Sequence, residues 1–365
     1  MTKSEIKFVG LHAHSVFSVF DGLGYPQDHM DFAYENGCDA LALTDHGNMN
    51  GLSHQVLHAK KMQAEGKNFK PIYGIEAYFI DSVDKWKEEY EEIQKNKKGR
   101  KKKEENSAVV VEDEEATKRQ EKNIINRRAH LVLLAQNQTG LNNLFQLISK
   151  SFNGDSFYRY PRIDYKMLAE HHEGIIVSSA CMGGPLSKDY WNNREEGHDA
   201  VQAAMTNTIS NFVEIFGDRF YGELQWNAIP EQHEINKHII EAAKKLDVKL
   251  ISTADSHYPR PELFKDRSLY KQLGWLGKSK PDYAENTLPQ SREELKYELY
   301  PKNGDEMWES YKNYSKQCEV NYDDKLVRES IEETYRIAHE RIDSYYPDAT
   351  VRLPDFVVPN GSTAD

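Results

Sequence analysis

The segment LHAHSVFSVFDG, residues 11–22, contains side chains of metal-binding types at the end of a short apolar run. His12 and His14 are separated by one residue, so in an extended strand both point to the same face, about 7 Å apart along the backbone. Asp21 follows in the next loop, where an aspartate is equally typical of a turn. An HxH pair often occurs by chance, so these residues predict a metal site only if other ligands join them.

Buried strands alternate with helices along most of the chain. The periodicity predicts helices at residues 140–152 and 231–246, the first with its apolar face formed by Leu141, Leu144, Phe145 and Ile148. Strand alternating with helix predicts a parallel α/β arrangement. The predicted strands are residues 7–14, 40–46, 71–80, 130–136, 174–181, 219–226 and 249–257.

Side chains that bind metals recur where these strands end or break. His46 follows Asp45 after an apolar strand. We assign His46 as a metal ligand and Asp45 as a carboxylate that orients the ligands without binding the metal itself. Glu76 interrupts the apolar run YGIEAYF, where a buried carboxylate needs either a salt bridge or a metal. Cys181 alone is more typical of a core thiol. The prediction therefore depends on the joint pattern of nine residues: His12, His14, Asp21, His46, Glu76, His130, Cys181, Asp255 and His257. If the strands form a closed barrel, the first and last become neighbours and their ligands face each other.

Composition restricts the classes of protein that this chain can belong to. Its 365 residues are 38% hydrophobic, enough for a large globular core, and the formal net charge of −12 argues against broad nonspecific adhesion to nucleic acid. Three widely separated cysteines do not suggest a disulfide framework. The chain lacks an apolar stretch near twenty residues and begins without a signal-peptide pattern. We therefore expect a cytoplasmic protein without a membrane partner.

Two regions depart from the alternating pattern. Residues 81–128 are polar and dense in charges of both signs, which predicts a flexible insertion in a barrel formed by residues 1–80 and 129–270. The run KKGRKKK at 97–103 leaves open a nucleic-acid or partner arm. Residues 271–365 are expected to be mostly helical and to end in an extended linker.

Several segments together resemble the PHP (polymerase and histidinol phosphatase) domain, and more closely its version in the bacterial DNA polymerase III alpha family. The resemblance covers about residues 7–260 apart from the insertion, while residues 286–365 resemble the family's connection into the polymerase palm. It implies an α/β fold, a distorted seven-stranded (β/α) PHP barrel with a C-terminal, mostly helical extension. The matching segments are LHAHSVFSVFDG, ALALTDHGNMNG, PIYGIEAYF, AHLVLLAQNQTGLNNL, YPRIDYKMLAEHHEGIIVSSACMGGPLS and STADSHY.

The resemblance also implies a site for two to three divalent metal ions, of zinc, manganese or iron. One ion would take His12, His14, Glu76 and Asp255; a second would share Glu76 and add His130 and Cys181; a third would take Asp21, His46 and His257. The implied activity is that of a metal-dependent phosphoesterase or 3'-5' exonuclease in DNA replication, acting on a DNA 3' end or single strand. The implied partners are the rest of a polymerase or other replisome proteins. The palm's catalytic aspartates are not found in this sequence, so we do not expect this chain alone to polymerise DNA.

Two other functions stay open at this point. Metals can brace a fold without turnover, so the barrel could be a structural module that supports a polymerase. The same ligands could also serve a phosphatase for small phosphates, such as a histidinol phosphatase. Release of labelled nucleotides from DNA or of phosphate from histidinol phosphate would distinguish the three functions.

Overall fold

The computed structural model describes residues 4–103, 112–154, 156–274 and 291–350. Within these ranges the strands are β1 Ala40–Leu43, β2 Lys70–Phe79, β3 Ala129–Ala135, β4 Phe157–Tyr158, β5 Tyr160–Ile163, β6 Ile175–Ser178, β7 Phe220–Gln225 and β8 Leu250–Thr253. The helices are α1 Pro26–Glu35, α2 Leu52–Ala64, α3 Val83–Lys103, α4 Glu112–Ile125, α5 Gln138–Ser151, α6 Tyr165–Glu170, α7 Pro185–Asn193, α8 His198–Phe216, α9 Pro230–Lys245, α10 Phe264–Leu273, α11 Gly304–Gln317 and α12 Asp324–Arg336. None of the helices in these ranges is both long enough and apolar enough to cross a membrane.

The strands close into a ring. Strand β1 pairs with β2, and the sheet continues through β3, β6, β7 and β8. The extended segment 10–13 completes the ring, because Gly10 bridges Leu41 of β1 and Ala13 bridges Ser256 beyond β8. With that segment the described ring has seven members, while β4 and β5 form a short ribbon on β2. The predicted seven-stranded barrel is confirmed, although its first member forms isolated bridges instead of a continuous ladder.

The prediction of a parallel sheet was wrong for one strand of the ring, β3, and for the short ribbon, in which β4 runs antiparallel to β5. Strand β3 runs antiparallel to both of its neighbours, with His130 opposite Tyr78 of β2. The cause lies in the intervening segment, where helices α3 and α4 return the chain to the end of the barrel at which β2 finishes. A ligand at the beginning of β3 therefore reaches the same end of the barrel as ligands that follow the other strands.

Two apolar layers lie on either side of the sheet. Val132 and Leu134 of β3 belong to the cluster inside the barrel, whereas Leu131 and Leu133 belong to the cluster beneath the surrounding helices. This alternation is the period of two expected of a strand. Helix α5 packs on the outer layer through Leu141, Leu144 and Leu147. Phe145, which we expected on that buried face, is 38% exposed, because Leu147 takes the buried position instead.

The C-terminal helices close the other end of the barrel. Helix α12 continues into a π-helical turn, Ile337–Arg341, and Ile337, Ala338 and Ile342 join the cluster inside the barrel. Lys70 Nζ, at the start of β2, donates hydrogen bonds to the carbonyl oxygens of Ala338 and Ile342 at 2.6 and 2.5 Å. The described residues after 290 thus pack against the barrel. The predicted extended linker, residues 352–365, lies outside the described ranges.

The interval 81–128, expected to be a flexible insertion, contains helices α3 and α4, and one fully buried arginine attaches them to the barrel. The guanidinium of Arg162, on β5, lies 4.1 Å from the centre of the Trp86 ring of α3. Trp86 Nε1 in turn donates to Ile124 O of α4 at 2.9 Å. Arg162 donates hydrogen bonds of 2.7–3.2 Å to the carbonyl oxygens of Ile125, Arg127, Tyr158 and Tyr160.

Replacing Arg162 with methionine should destabilise the protein, because four carbonyl groups lose a charged donor together. We expect the free energy of unfolding to fall by about 3 kcal/mol, measured by urea denaturation. The control is Lys166→Met, since Lys166 is 73% exposed and its ion pair with Asp84 spans 4.0 Å. This control should change stability by less than about 0.5 kcal/mol. Equal stability of the two variants would contradict the role given to Arg162.

Candidate metal centre

All nine candidate ligands lie together at the open end of the barrel. Seven of them line a hollow of about 290 Å³: Asp21, His46, Glu76, His130, Cys181, Asp255 and His257. His12 and His14 lie beneath it, fully buried, and contact the carboxylates of Glu76 and Asp255. The structure therefore brings together residues that are up to 245 positions apart in the sequence.

The carboxylate of Glu76 is the centre of this group. It lies on β2 and is fully buried. Its oxygens lie near side-chain atoms of five other candidates: His12 Nε2 at 3.2 Å, His14 Nε2 at 3.5 Å, His46 Nδ1 at 2.5 Å, His130 Nδ1 at 3.0 Å and Cys181 Sγ at 3.8 Å. Burial alone would raise the pKa of Glu76, but the nearby imidazoles of His130, His46 and His12 hold it well below its usual value. Glu76 is therefore an ionised carboxylate.

Asp255 is a second carboxylate, held in an uncommon backbone conformation. Its Oδ1 lies 3.2 Å from His12 Nε2 and 3.3 Å from His14 Nε2. Its φ of 49° is in the left-handed region, which disfavours residues with a side chain and is typical of functional sites. Backbone hydrogen bonds from Ser256 N to His12 O and from His14 N to Ser256 O hold this segment against the first member of the barrel. Barrel closure thus places Asp255 beside the HxH motif.

A third group lies at the rim. Asp21 Oδ2 is 3.3 Å from His46 Nε2 and 3.6 Å from His257 Nε2. The other oxygen of Asp21 is held by Arg267, whose Nε also donates to Asp21 O at 3.0 Å, and lies 3.4 Å from Lys271 Nζ. Asp21 is thus more than a turn residue, because two cations of α10 orient its carboxylate toward the two imidazoles.

Sequence reasoning missed Glu223, which orients His12. Glu223 Oε1 lies 2.8 Å from His12 Nδ1, and both side chains are buried. The carboxylate accepts the Nδ1 proton, so Nε2 is the nitrogen that His12 would offer to a cation beside Glu76 and Asp255. The hydroxyls of Ser178 and Thr253 also donate to Glu223. The signal was available, because an acidic residue interrupts the strand FYGELQ as Glu76 interrupts its own strand.

Asp45 acts on the candidate ligands through a serine instead of by direct contact. Its carboxylate accepts hydrogen bonds from the hydroxyls of Ser15 and Ser18 at 2.8 and 2.7 Å. The Ser18 hydroxyl also lies 3.0 Å from His14 Nδ1. Since this hydroxyl gives its proton to Asp45, it accepts the Nδ1 proton of His14, whose Nε2 is left free to bind a cation.

The residues present fit divalent cations. His46 Nδ1, Glu76 Oε2 and Asp255 Oδ1 are buried and have no hydrogen-bond partner among the described residues, although imidazole and carboxylate atoms lie close together. Such atoms are costly to bury unless a cation compensates them. Burial, together with Asp255 and Glu76, also raises the pKa of Cys181 well above its usual value, so a thiolate there requires a nearby cation. The mixed nitrogen, oxygen and sulfur donors suit zinc, manganese or iron.

Comparison with known proteins agrees with this geometry. The family model of the PHP domain matches residues 10–227, so the chain belongs to the PHP domain family. Among curated proteins it is similar to the DNA polymerase III alpha subunits of Aquifex aeolicus, with 32% identity over 98% of this chain, and of Borreliella burgdorferi, with 32% identity over 97%. The chain spans about a quarter of the length of these relatives, 26% and 25%.

Structural similarity adds no further support to this assignment. A solved amidohydrolase from Chromobacterium violaceum covers 69% of this chain and 88% of its own, with 13% identity and a TM-score of 0.35.

Replacing Glu223 with glutamine should weaken metal binding, because His12 loses the negative charge that fixes its tautomer. We expect the affinity for Mn²⁺, measured by isothermal titration calorimetry, to fall by about 10- to 100-fold. Glu333→Gln is the matched control, since Glu333 is also a buried glutamate but pairs with Lys249 on the outside of the barrel. If the two variants bind Mn²⁺ equally well, Glu223 does not orient a ligand.

Proposed function

We propose that this chain is a metal-dependent phosphoesterase module of a DNA polymerase III alpha-like protein, and that it removes nucleotides from a DNA 3' end. The observation that carries the proposal is the convergence of nine candidate metal ligands, seven lining one open hollow and two directly beneath it. Hydrolysis of a phosphodiester requires a nucleophile and neutralisation of the phosphate charge. A cluster of cations meets both requirements without a nucleophilic side chain.

The distances support a division of the ligands into three sets. In each of three groups of three residues, the donor atoms lie within 4.8 Å of one another. The groups are His12, His14 and Asp255; His46, Glu76 and His130; and His14, His46 and His257. We assign one ion to His12, His14, Glu76 and Asp255, a second to Glu76, His130 and Cys181, and a third to Asp21, His46 and His257. His46 contacts both Glu76 and Asp21, so it lies between the second and third sets.

Divalent ions bound here would supply a water of lowered pKa and compensate the negative charge of the phosphate. The protein's own part is to hold the donor atoms in place. Glu223 fixes His12, the Ser18 hydroxyl fixes His14, and Arg267 fixes Asp21. The site is thus oriented by side chains that do not themselves have to contact the phosphate.

The shape of the hollow supports turnover over a purely structural role. A structural metal site surrounds its ion with protein ligands, whereas a catalytic site keeps a position open. Here the side chains of Asp21 and His130 are 28% and 22% exposed, while Glu76 behind them is 1% exposed. An incoming phosphate can therefore reach the rim. The mouth also carries apolar and aromatic side chains suited to a sugar or base: Met182, Ile229, Tyr297 and Leu299.

The assignment of DNA as substrate, and of polymerase or replisome proteins as partners, is supported by the curated relatives, which are DNA polymerase subunits. A phosphatase for small phosphates is the alternative chemistry for the same ligands. Its distinguishing property would be hydrolysis of histidinol phosphate with no action on DNA.

Replacing Glu76 with glutamine should abolish metal-dependent release of nucleotides, because one carboxylate serves two of the assigned ions. We expect release from 3'-labelled single-stranded DNA in Mn²⁺ to fall by at least about 100-fold, and EDTA to remove the activity of the unmodified protein. The Glu333→Gln variant should retain full activity. Metal-bound protein that leaves DNA and histidinol phosphate intact would favour the structural role instead.

A further inference from the structure

Arg128 lies directly before β3, beside the candidate metal centre. Its guanidinium carbon is 3.9 Å from the centre of the Tyr160 ring and 5.6 Å from that of Tyr78. The Tyr78 ring in turn stacks on His46 at 6.1 Å and meets the edge of His130 at 5.6 Å. Tyr78 thus separates a positive charge from two candidate ligands by the width of one aromatic ring.

No carboxylate of the described residues pairs with Arg128. Arg267 and Lys271 contact Asp21, and Arg127 pairs with Glu89 at 2.8 Å. Within the ranges that the structure describes, Arg128 forms no ion pair, and its polar contact is a 3.1 Å hydrogen bond from one terminal nitrogen to Asn126 O.

Two further observations describe the surroundings of the Arg128 guanidinium. Arg128 Nε is buried and lacks a hydrogen-bond partner among the described residues. Burial, followed by the charge of Arg128, lowers the pKa of the neighbouring Arg162 to about 10. Uncompensated guanidinium groups of this kind are typical of sites that bind an anion.

The chain places Arg128 two residues before the candidate ligand His130 of β3. Arg128 and His130 are two residues apart, so their side chains leave the same face of the extended chain about 7 Å apart. That spacing is comparable to one nucleotide step along a single strand. The aromatic rings also restrict the guanidinium before any ligand arrives, which reduces the entropy lost on binding.

We propose that Arg128 binds the phosphate adjacent to the one that is cleaved, so that the site takes a polynucleotide strand in preference to a substrate with a single phosphate. This inference rests on the proposed phosphoesterase function and defines its substrate class. Arg128 is a specificity residue in this scheme, because it contacts a phosphate that does not react.

The test compares two substrates with the protein in Mn²⁺. One is a 3'-labelled, 12-nucleotide single strand, and the other is bis(p-nitrophenyl) phosphate, a diester with no neighbouring phosphate. For Arg128→Met we expect kcat/KM on DNA to fall by about 10- to 100-fold, mainly through KM, as for the loss of one charge-assisted hydrogen bond. Activity on the aryl diester should change by less than about twofold. Arg128→Lys should recover part of the lost kcat/KM on DNA, because lysine restores the charge but lacks the planar guanidinium that can donate two parallel hydrogen bonds to a phosphate.

The adjacent arginine is the matched control. Arg127→Met removes an equal charge one residue away, but from a side chain that already has a carboxylate partner, and it should leave both activities unchanged. Equal losses on the two substrates, or the same loss from Arg127→Met, would show that Arg128 only braces Tyr78 and Tyr160.

A binding measurement separates this inference from the proposed function. If the unmodified protein hydrolyses neither substrate, the phosphoesterase function fails, and the fluorescence anisotropy of a labelled 12-nucleotide strand still tests Arg128. We expect Arg128→Met to weaken binding and to reduce the slope of log K against log salt by about 0.7. An unchanged affinity and slope, or no binding by the unmodified protein, would overturn the inference.

Discussion

One buried carboxylate, that of Glu76, constrains the rest of the structure. An ionised group in the middle of an apolar strand destabilises a fold unless positive charge surrounds it. Here imidazoles from three separate segments surround it, with His12, His14, His46 and His130 all within 3.5 Å of its oxygens. The barrel has to close for these segments to meet. Among the described residues, the same arrangement leaves carboxylate and imidazole atoms without hydrogen-bond partners, and bound cations would compensate them.

The two ends of the barrel have different roles, because one is filled by apolar side chains that stabilise the fold and the other contains the candidate ligands. At one end, the turn after α12 fills the interior with Ile337 and Ile342, and Lys70 holds its carbonyl groups. At the other end, apolar side chains give way to the candidate ligands. The reversed direction of β3 serves this division, because it brings His130 to the open end at the start of a strand. Helices α3 and α4 are what allows that reversal, and Arg162 attaches them to the barrel.

Much of the candidate site could be predicted from the sequence, because side chains of metal-binding types at strand ends are a local signal. The resemblance to a known family then indicated which of these side chains would share an ion. Glu223, like Glu76, is an acidic residue inside an apolar strand, but it lies outside the segments that carry the family resemblance. The role of Ser18 depends on a loop geometry that no spacing encodes. The direction of β3 could not be read either, since periodicity gives the faces of a strand and not its polarity. Phe145 was misplaced because a helical face defined by three or four residues can rotate by one position.

Anomalous X-ray diffraction from crystals of the protein grown with Mn²⁺ would test most directly whether the open end of the barrel gathers cations around one shared carboxylate. We expect at least two anomalous peaks in the hollow, both within coordination distance of Glu76, and their loss in crystals of the Glu76→Gln variant. Full occupancy of manganese at surface sites with no peak beside Glu76 would contradict a shared carboxylate.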